Sequence, residues 1–183
     1  MIQFRYEPDP AEMAYVTARL SAIPLKAPLV MARALNRTAI HSRKLLSDKA
    51  RETYDVKAGG FKSDLKIKNA TAGNLEAVLH TEGRALKLSK FGVRKGKEAV
   101  RARVLKSSGY KPLYKNGIKA FWTRGKSPLV VRQGKDRYPL KVLFSKTVPD
   151  MIGDEWRVYG VIEPTMQQEL QKNMRQQISR ILG

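Results

Sequence analysis

The stretch from Pro24 to Tyr54, PLKAPLVMARALNRTAIHSRKLLSDKARETY, constrains the fold more than any other. Pro28 suits the first turn of a helix, where its missing N–H would have no intrahelical partner. No further Pro or Gly interrupts the run until Gly59. Met31, Leu35, Thr38, Ser42, Leu45 and Lys49 recur in alternating steps of four and three, and Val30, Ala34 and Leu46 widen that face. Arg33, Arg37, Arg43, Lys44 and Arg51 fall mostly elsewhere. The pattern predicts one helix of about 25 residues, roughly 37 Å long. The other elements are expected to pack along it.

Upstream, Ile2, Phe4 and Tyr6 alternate with polar residues and predict a short strand. Asp9-Pro10 then gives a helix cap followed by a first-turn proline, and Met13, Val16, Leu20 and Ile23 keep helical spacing. Downstream of Gly59-Gly60 the period changes. Asp64 to Thr71 reads as a strand with one wet face. Asn74 to Thr81 reads as a second strand, paired with Ala85 to Ser89 through a tight turn at Glu82-Gly83. Phe91 to Lys97 reads as an exposed basic loop. Val100 to Val104 is a strand with an arginine edge, and Gly117–Thr123 and Leu129–Arg132 are strands joined by Arg124 to Ser127. Tyr138 to Phe144 is strand-like, with Pro139 confining it to an edge or a strand start. Pro164 is read as opening a C-terminal amphipathic helix whose apolar stripe is Met166, Leu170, Met174, Ile178 and Ile181. The expected class is α+β: a long N-terminal helix and a C-terminal amphipathic helix packed on a mainly antiparallel sheet. All 183 residues are assigned to a single domain, with residues 1–23 as an N-terminal extension and residues 84–113 as a basic strand-loop insertion.

Composition narrows the chemistry. There is no cysteine, which removes disulfides and thiolate metal sites. No apolar run is long enough to span a bilayer, and MIQFRYEPDP lacks a signal pattern. The expectation is a chain made and used in the cytoplasm or assembled into a particle there, with no membrane partner. The Asn36-Arg37-Thr38 and Asn69-Ala70-Thr71 sequons are then chance. The formal charge is +20, and it is concentrated: Arg84 to Lys146 holds 19 Lys and Arg against two acids, Glu98 and Asp136. Such a balance calls for a polyanion or a well-solvated surface.

No catalytic set is visible, and no cofactor is expected. His41 and His80 lack sequence-near partners, and Asp154-Glu155 is the only adjacent acidic pair, explained by a turn beside Gly153. A nuclease would need clustered carboxylates for metal ions. Gly125-Lys126-Ser127 matches the tail of a phosphate-binding loop, but Ala120 stands where its first glycine belongs and no helix follows. The basic residues Arg94, Lys95, Lys97, Arg101 and Arg103 are the candidates for contact with a DNA backbone or with an acidic neighbouring protein, and both partners stay open. Helix-turn-helix, zinc-finger and RNA-recognition motifs are missing.

Several stretches occur together in an informative order. They are Ala34-Leu35-Asn36-Arg37-Thr38-Ala39, Arg51-Glu52-Thr53, Leu65-Lys66-Ile67-Lys68-Asn69-Ala70-Thr71, Ala120-Phe121, Arg137-Tyr138-Pro139-Leu140 and Val148-Pro149, followed by the C-terminal amphipathic helix. In these the chain resembles the prophage minor tail protein Z family of long-tailed bacteriophages, from about Pro28 onward. The resemblance implies a structural virion protein in the neck or upper tail that completes the tail and joins it to the head. It implies a homo-oligomeric ring around the DNA path, hexameric or dodecameric. Its partners would be the tail terminator or tail tube, head-completion or adaptor proteins, and the DNA in the lumen without sequence preference. Such a ring closes through head-to-tail contacts, for which Leu35, Met166, Leu170 and Met174 are the candidates, and the Lys90 to Lys97 loop would order only against a neighbour. The isolated subunit is expected to be monomeric or weakly associated. The alternative is a non-specific, backbone-contacting nucleic-acid-binding module.

Overall fold

The structure, a computed structural model, describes residues 1–57, 61–123 and 128–182. The predicted long helix is its axis: α2 spans Ala27–Thr53, led in by a short 3-10 turn at Pro24–Lys26, with proline in its first turn. Its buried residues include Val30, Met31, Leu35, Ala39, Leu46 and Ala50. Small side chains along this face let neighbouring elements approach closely.

The helix serves two cores. Its first half packs with α1 (Pro10–Arg19) and with the last turns of α4 (Tyr159–Leu182), around Val16, Leu20, Met31, Leu35, Met174 and Ile178. Asp9 caps α1 in a reciprocal capping box with Glu12, as its Asp-Pro start predicts. The second half of α2 carries Leu46 and Tyr54 into a core with Phe61, Leu79, Phe91, Met151 and Ile152. The helices α2 and α4 run antiparallel. Between them Asn173 donates through Nδ2 to the Thr38 hydroxyl at 3.0 Å, and that hydroxyl donates to the Ala34 carbonyl at 2.9 Å. Both buried polar groups are thereby satisfied.

Among the described residues the strands form small antiparallel sheets. The first has the order β1-β3-β2, with β1 at Ile2–Tyr6, β2 at Leu65–Lys68 and β3 at Ala77–Thr81. Within the N-terminal segment β1 is paired and packed: Phe4 opposes Leu79, and its ring stacks on Tyr159 at 4.6 Å. The predicted hairpin of Asn74–Thr81 with Ala85–Ser89 is not formed. Both edges of β3 are already taken by β1 and β2, so β4 (Ala85–Lys87) pairs instead with β13 (Phe144–Thr147).

Three further sheets follow. β5 (Gly92–Arg94), β6 (Arg101–Arg103) and β7 (Lys111–Pro112) form one. β8 (Tyr114–Lys115) and β9 (Ile118–Lys119) form a hairpin. β10 (Phe121–Trp122), β11 (Leu129–Arg132) and β12 (Leu140–Val142) form the last, with β12 at the edge and starting directly after Pro139. The predicted continuous strand from Gly117 to Thr123 is divided at Ala120, whose N–H turns away to the Leu113 carbonyl at 3.0 Å.

Thr147 caps the short α3 (Val148–Ile152). The helix α4 starts at Tyr159, not at Pro164. The Asp154 backbone carbonyl accepts from the Val158 and Tyr159 N–H groups, and its carboxylate accepts from the Arg157 N–H. That turn starts the helix earlier than the proline signal does. Pro164 then lies inside the helix, where its missing N–H leaves the Gly160 carbonyl without the usual partner four residues on.

Candidate functional site

The basic segment is joined to α2 by the residues that leave the helix. Asp55 donates its N–H to the Val104 carbonyl at 2.8 Å and accepts from the Gly92 N–H at 2.9 Å, while Lys57 and Lys106 make the flanking bonds to Lys90 and Thr53. This linker therefore lies between β5 and the end of β6. A Cβ on Gly92 would displace the Asp55 carboxylate and crowd the Tyr110 hydroxyl, so glycine here lets that carboxylate keep its place beside the strand.

The Asp55 carboxylate accepts from Nε of Arg103 at 2.7 Å, and the pair is partly buried, with side chains 21% and 31% exposed. The bond to Asp55 raises the Arg103 pKa above its ordinary value. The Tyr110 ring lies under two guanidinium groups, with Arg94 4.0 Å and Arg103 4.9 Å from its centre. Arg94 and Arg101 are direct cross-strand partners, a like-charge placement that is unfavourable on a strand pair. The arginine stacked on Tyr110 relieves part of that repulsion.

These contacts sort the five predicted cations. Arg103 holds the fold together through Asp55. Arg94 is exposed but rests on Tyr110. Lys95, Lys97 and Arg101 are exposed and form no ion pair among the described residues. Lys97 and Arg101, with Glu98 and Tyr114, line a groove of about 430 Å³. The predicted loop over Phe91 to Lys97 is half strand: Phe91 is fully buried and Gly92–Arg94 is β5. Glycine at position 92 hides the strand from a periodicity search.

The four predicted interface residues are internal. Leu35, Met166, Leu170 and Met174 are 0%, 4%, 9% and 2% exposed, all within the two cores. An apolar stripe on a helix buries itself against the nearest apolar face, and here that face belongs to the same chain. Surface contacts must use other side chains: Leu25, Tyr138, Phe144 and Trp156 are large and exposed.

Sequence reasoning passed over the β8–β9 hairpin. Its signal was present in Asn116-Gly117, the dipeptide that best suits a two-residue turn with two positive φ values. Both residues have them, at 51° and 75°. The histidines are structural in setting: Nδ1 of His41 lies 3.4 Å from the Glu169 carboxylate, and His80 lies in β3 opposite Gln3 and Lys66. Among the described residues no group of His, Asp and Glu could hold a metal ion. Gly125-Lys126-Ser127, the linking stretch Arg124 to Ser127 and Gly59-Gly60 lie outside the described residues.

The chain is thus α+β, organised along one helix, with cations gathered on short strands beyond the C-terminal end of that helix. A family model for prophage minor tail protein Z matches residues 16–183, and the chain belongs to that family. It is a structural protein of the phage tail. No curated protein and no solved structure matches it. Among the described residues no helix is long and apolar enough to cross a membrane.

Proposed function

We propose that this tail protein is a ring subunit of the neck or upper tail, completing the tail and joining it to the head around the DNA path. The observation that carries the reading is the gathering of Lys95, Lys97 and Arg101, which form no ion pair among the described residues, on one short-stranded region of a chain whose family is structural. Such cations suit a backbone passing through a lumen and need no sequence readout. The chain acts without a cofactor and without catalysis. Its neighbours are the tail tube or tail terminator on one side and head-completion or adaptor proteins on the other.

A closed ring of six or twelve copies needs head-to-tail contacts. Exposed aromatics such as Trp156 and Phe144 support this, because aromatic side chains dominate the energetics of such interfaces. The test is removal of the chain from the assembling phage, followed by addition of purified protein to the extract. The reading expects separate heads and tails in its absence and joined particles after its addition. Joined, infective particles without the chain would overturn it.

A further inference from the structure

The hairpin β8–β9 has cations on both sides. On one side lies the groove of Lys97, Arg101 and Tyr114, whose lining also holds the carboxylate of Glu98. On the other a pocket of about 210 Å³ is lined by Lys115, Asn116, Ile118, Arg132, Gln133 and Lys141, with no carboxylate in its lining. Lys141 opposes Val131 across the β11–β12 pair, and Val131 is fully buried, which fixes the register that brings Lys141 to this place. The Lys141 ammonium is near enough to that of Lys115 to lower its pKa, first by direct polar contact and then by charge.

Two neighbouring ammonium groups repel unless an anion lies between them. The groove between α2 and α4 offers a contrast. It also gathers Arg37, Arg43, Lys44 and Lys62, but Glu169 is there, 3.4 Å from His41 and 3.0 Å from Lys172. That groove carries its own counter-charge, whereas the Lys115–Lys141 pocket has none. Its volume is below the roughly 300 Å³ at which sites for whole small molecules begin. It fits one oxyanion of a larger polymer. Lysine binds phosphate as a point charge, and the Asn116 and Gln133 amides add neutral donors. The lining is mainly polar, unlike the core of a protein–protein interface. It presents no run of aromatics on which unpaired bases would stack.

We propose that the Lys115–Lys141 pocket seats a backbone phosphate of duplex DNA. The identity of the polyanion rests on the DNA-path reading above, while the pocket rests on the lysines themselves.

The test is fluorescence anisotropy of a short labelled duplex with the purified full chain, over a range of salt concentrations. Lys115→Gln combined with Lys141→Gln is compared with Lys66→Gln combined with Lys68→Gln, which removes two charges from β2. Thermal melts of all three proteins establish that they remain folded. The pocket pair is expected to weaken binding about tenfold or more and to reduce the salt slope by about 0.9, the change for one lost phosphate contact. The β2 pair is expected to change both far less. Equal losses from the two pairs would overturn the proposal in favour of diffuse net charge, and no loss from the pocket pair would overturn it outright. Displacement of the duplex by polyglutamate as readily as by unlabelled DNA would overturn it in favour of an acidic protein surface. Absence of the chain from the tail joint would remove the proposed function while leaving a positive binding result intact.

Discussion

Asn36 sits in the middle of the long helix and holds a distant loop from there. Its Nδ2 donates to the Ala70 carbonyl at 2.9 Å, and its Oδ1 accepts from the Ala70 N–H at 2.6 Å. This pair of hydrogen bonds pins the segment after β2 against α2 and joins two of the stretches that carry the family resemblance. Asn36→Ala leaves both backbone groups of a buried residue unsatisfied, so a loss of about 2 kcal/mol is expected from urea denaturation. Asn36→Asp keeps the acceptor and should recover part of it.

Asp154 does comparable work at the other end of the helix. Its carboxylate, only 7% exposed, accepts from the Tyr54 hydroxyl at 2.9 Å and from Arg157 at 3.0 Å, with Lys146 at 3.9 Å. Burial pushes its carboxyl pKa up, but the Tyr54 hydroxyl, Arg157 and Lys146 outweigh burial and hold it below the ordinary value. The folded pKa is therefore below the unfolded one, and the unfolded chain takes the proton first. The stability this group contributes is present in full above about pH 4 and is lost as pH falls through the folded pKa. Asp154→Asn should be less stable than the parent at neutral pH, with the gap closing in acid. Denaturation midpoints across that range measure it. The sequence displayed Asp154 only as half of an acidic pair in a turn. Its partner Tyr54 is 100 residues away in the chain, and no local pattern could supply it.

At the scale of elements, what was legible followed length. The helix α2 declared itself by many turns of consistent spacing, and α1 by its cap. The C-terminal stripe was read correctly, although Pro164 drew the start of α4 too late, because a turn at Asp154 nucleates the helix before the proline is reached. Strands of two or three residues, such as β7 to β10, are too short to show a period of two. The pairing of β4 with β13 depends on which edges other strands leave free, a global property that no window of sequence contains. The role of the apolar stripes was misread for a related reason: spacing marks a face for burial without saying what buries it. Leu35→Ala should cost about 3 kcal/mol in chemical denaturation. It should leave the sedimentation behaviour of the folded protein unchanged, since Leu35 lies in the internal core.

At the scale of the whole molecule, the +20 charge was legible at once, but which cations are free was not. Arg103 is committed to Asp55 and Arg94 to Tyr110, while Lys115 and Lys141 are brought together only by the meeting of a hairpin with β12. The outer surface also carries Trp156, 88% exposed. Trp156→Ala is expected to leave the melting temperature within a degree or so, as surface changes usually do, and to lower the yield of joined particles in the extract assay. Loss of thermal stability with unchanged joining would assign this tryptophan to the fold instead.

The most direct test of the tail-joint account is cryo-electron microscopy of the assembled phage particle, with this chain traced in the density. The account predicts a closed ring of copies at the head–tail joint, with the β8–β9 hairpin and its lysines facing the DNA-filled lumen. A chain located elsewhere in the tail, or absent from the particle, would contradict it.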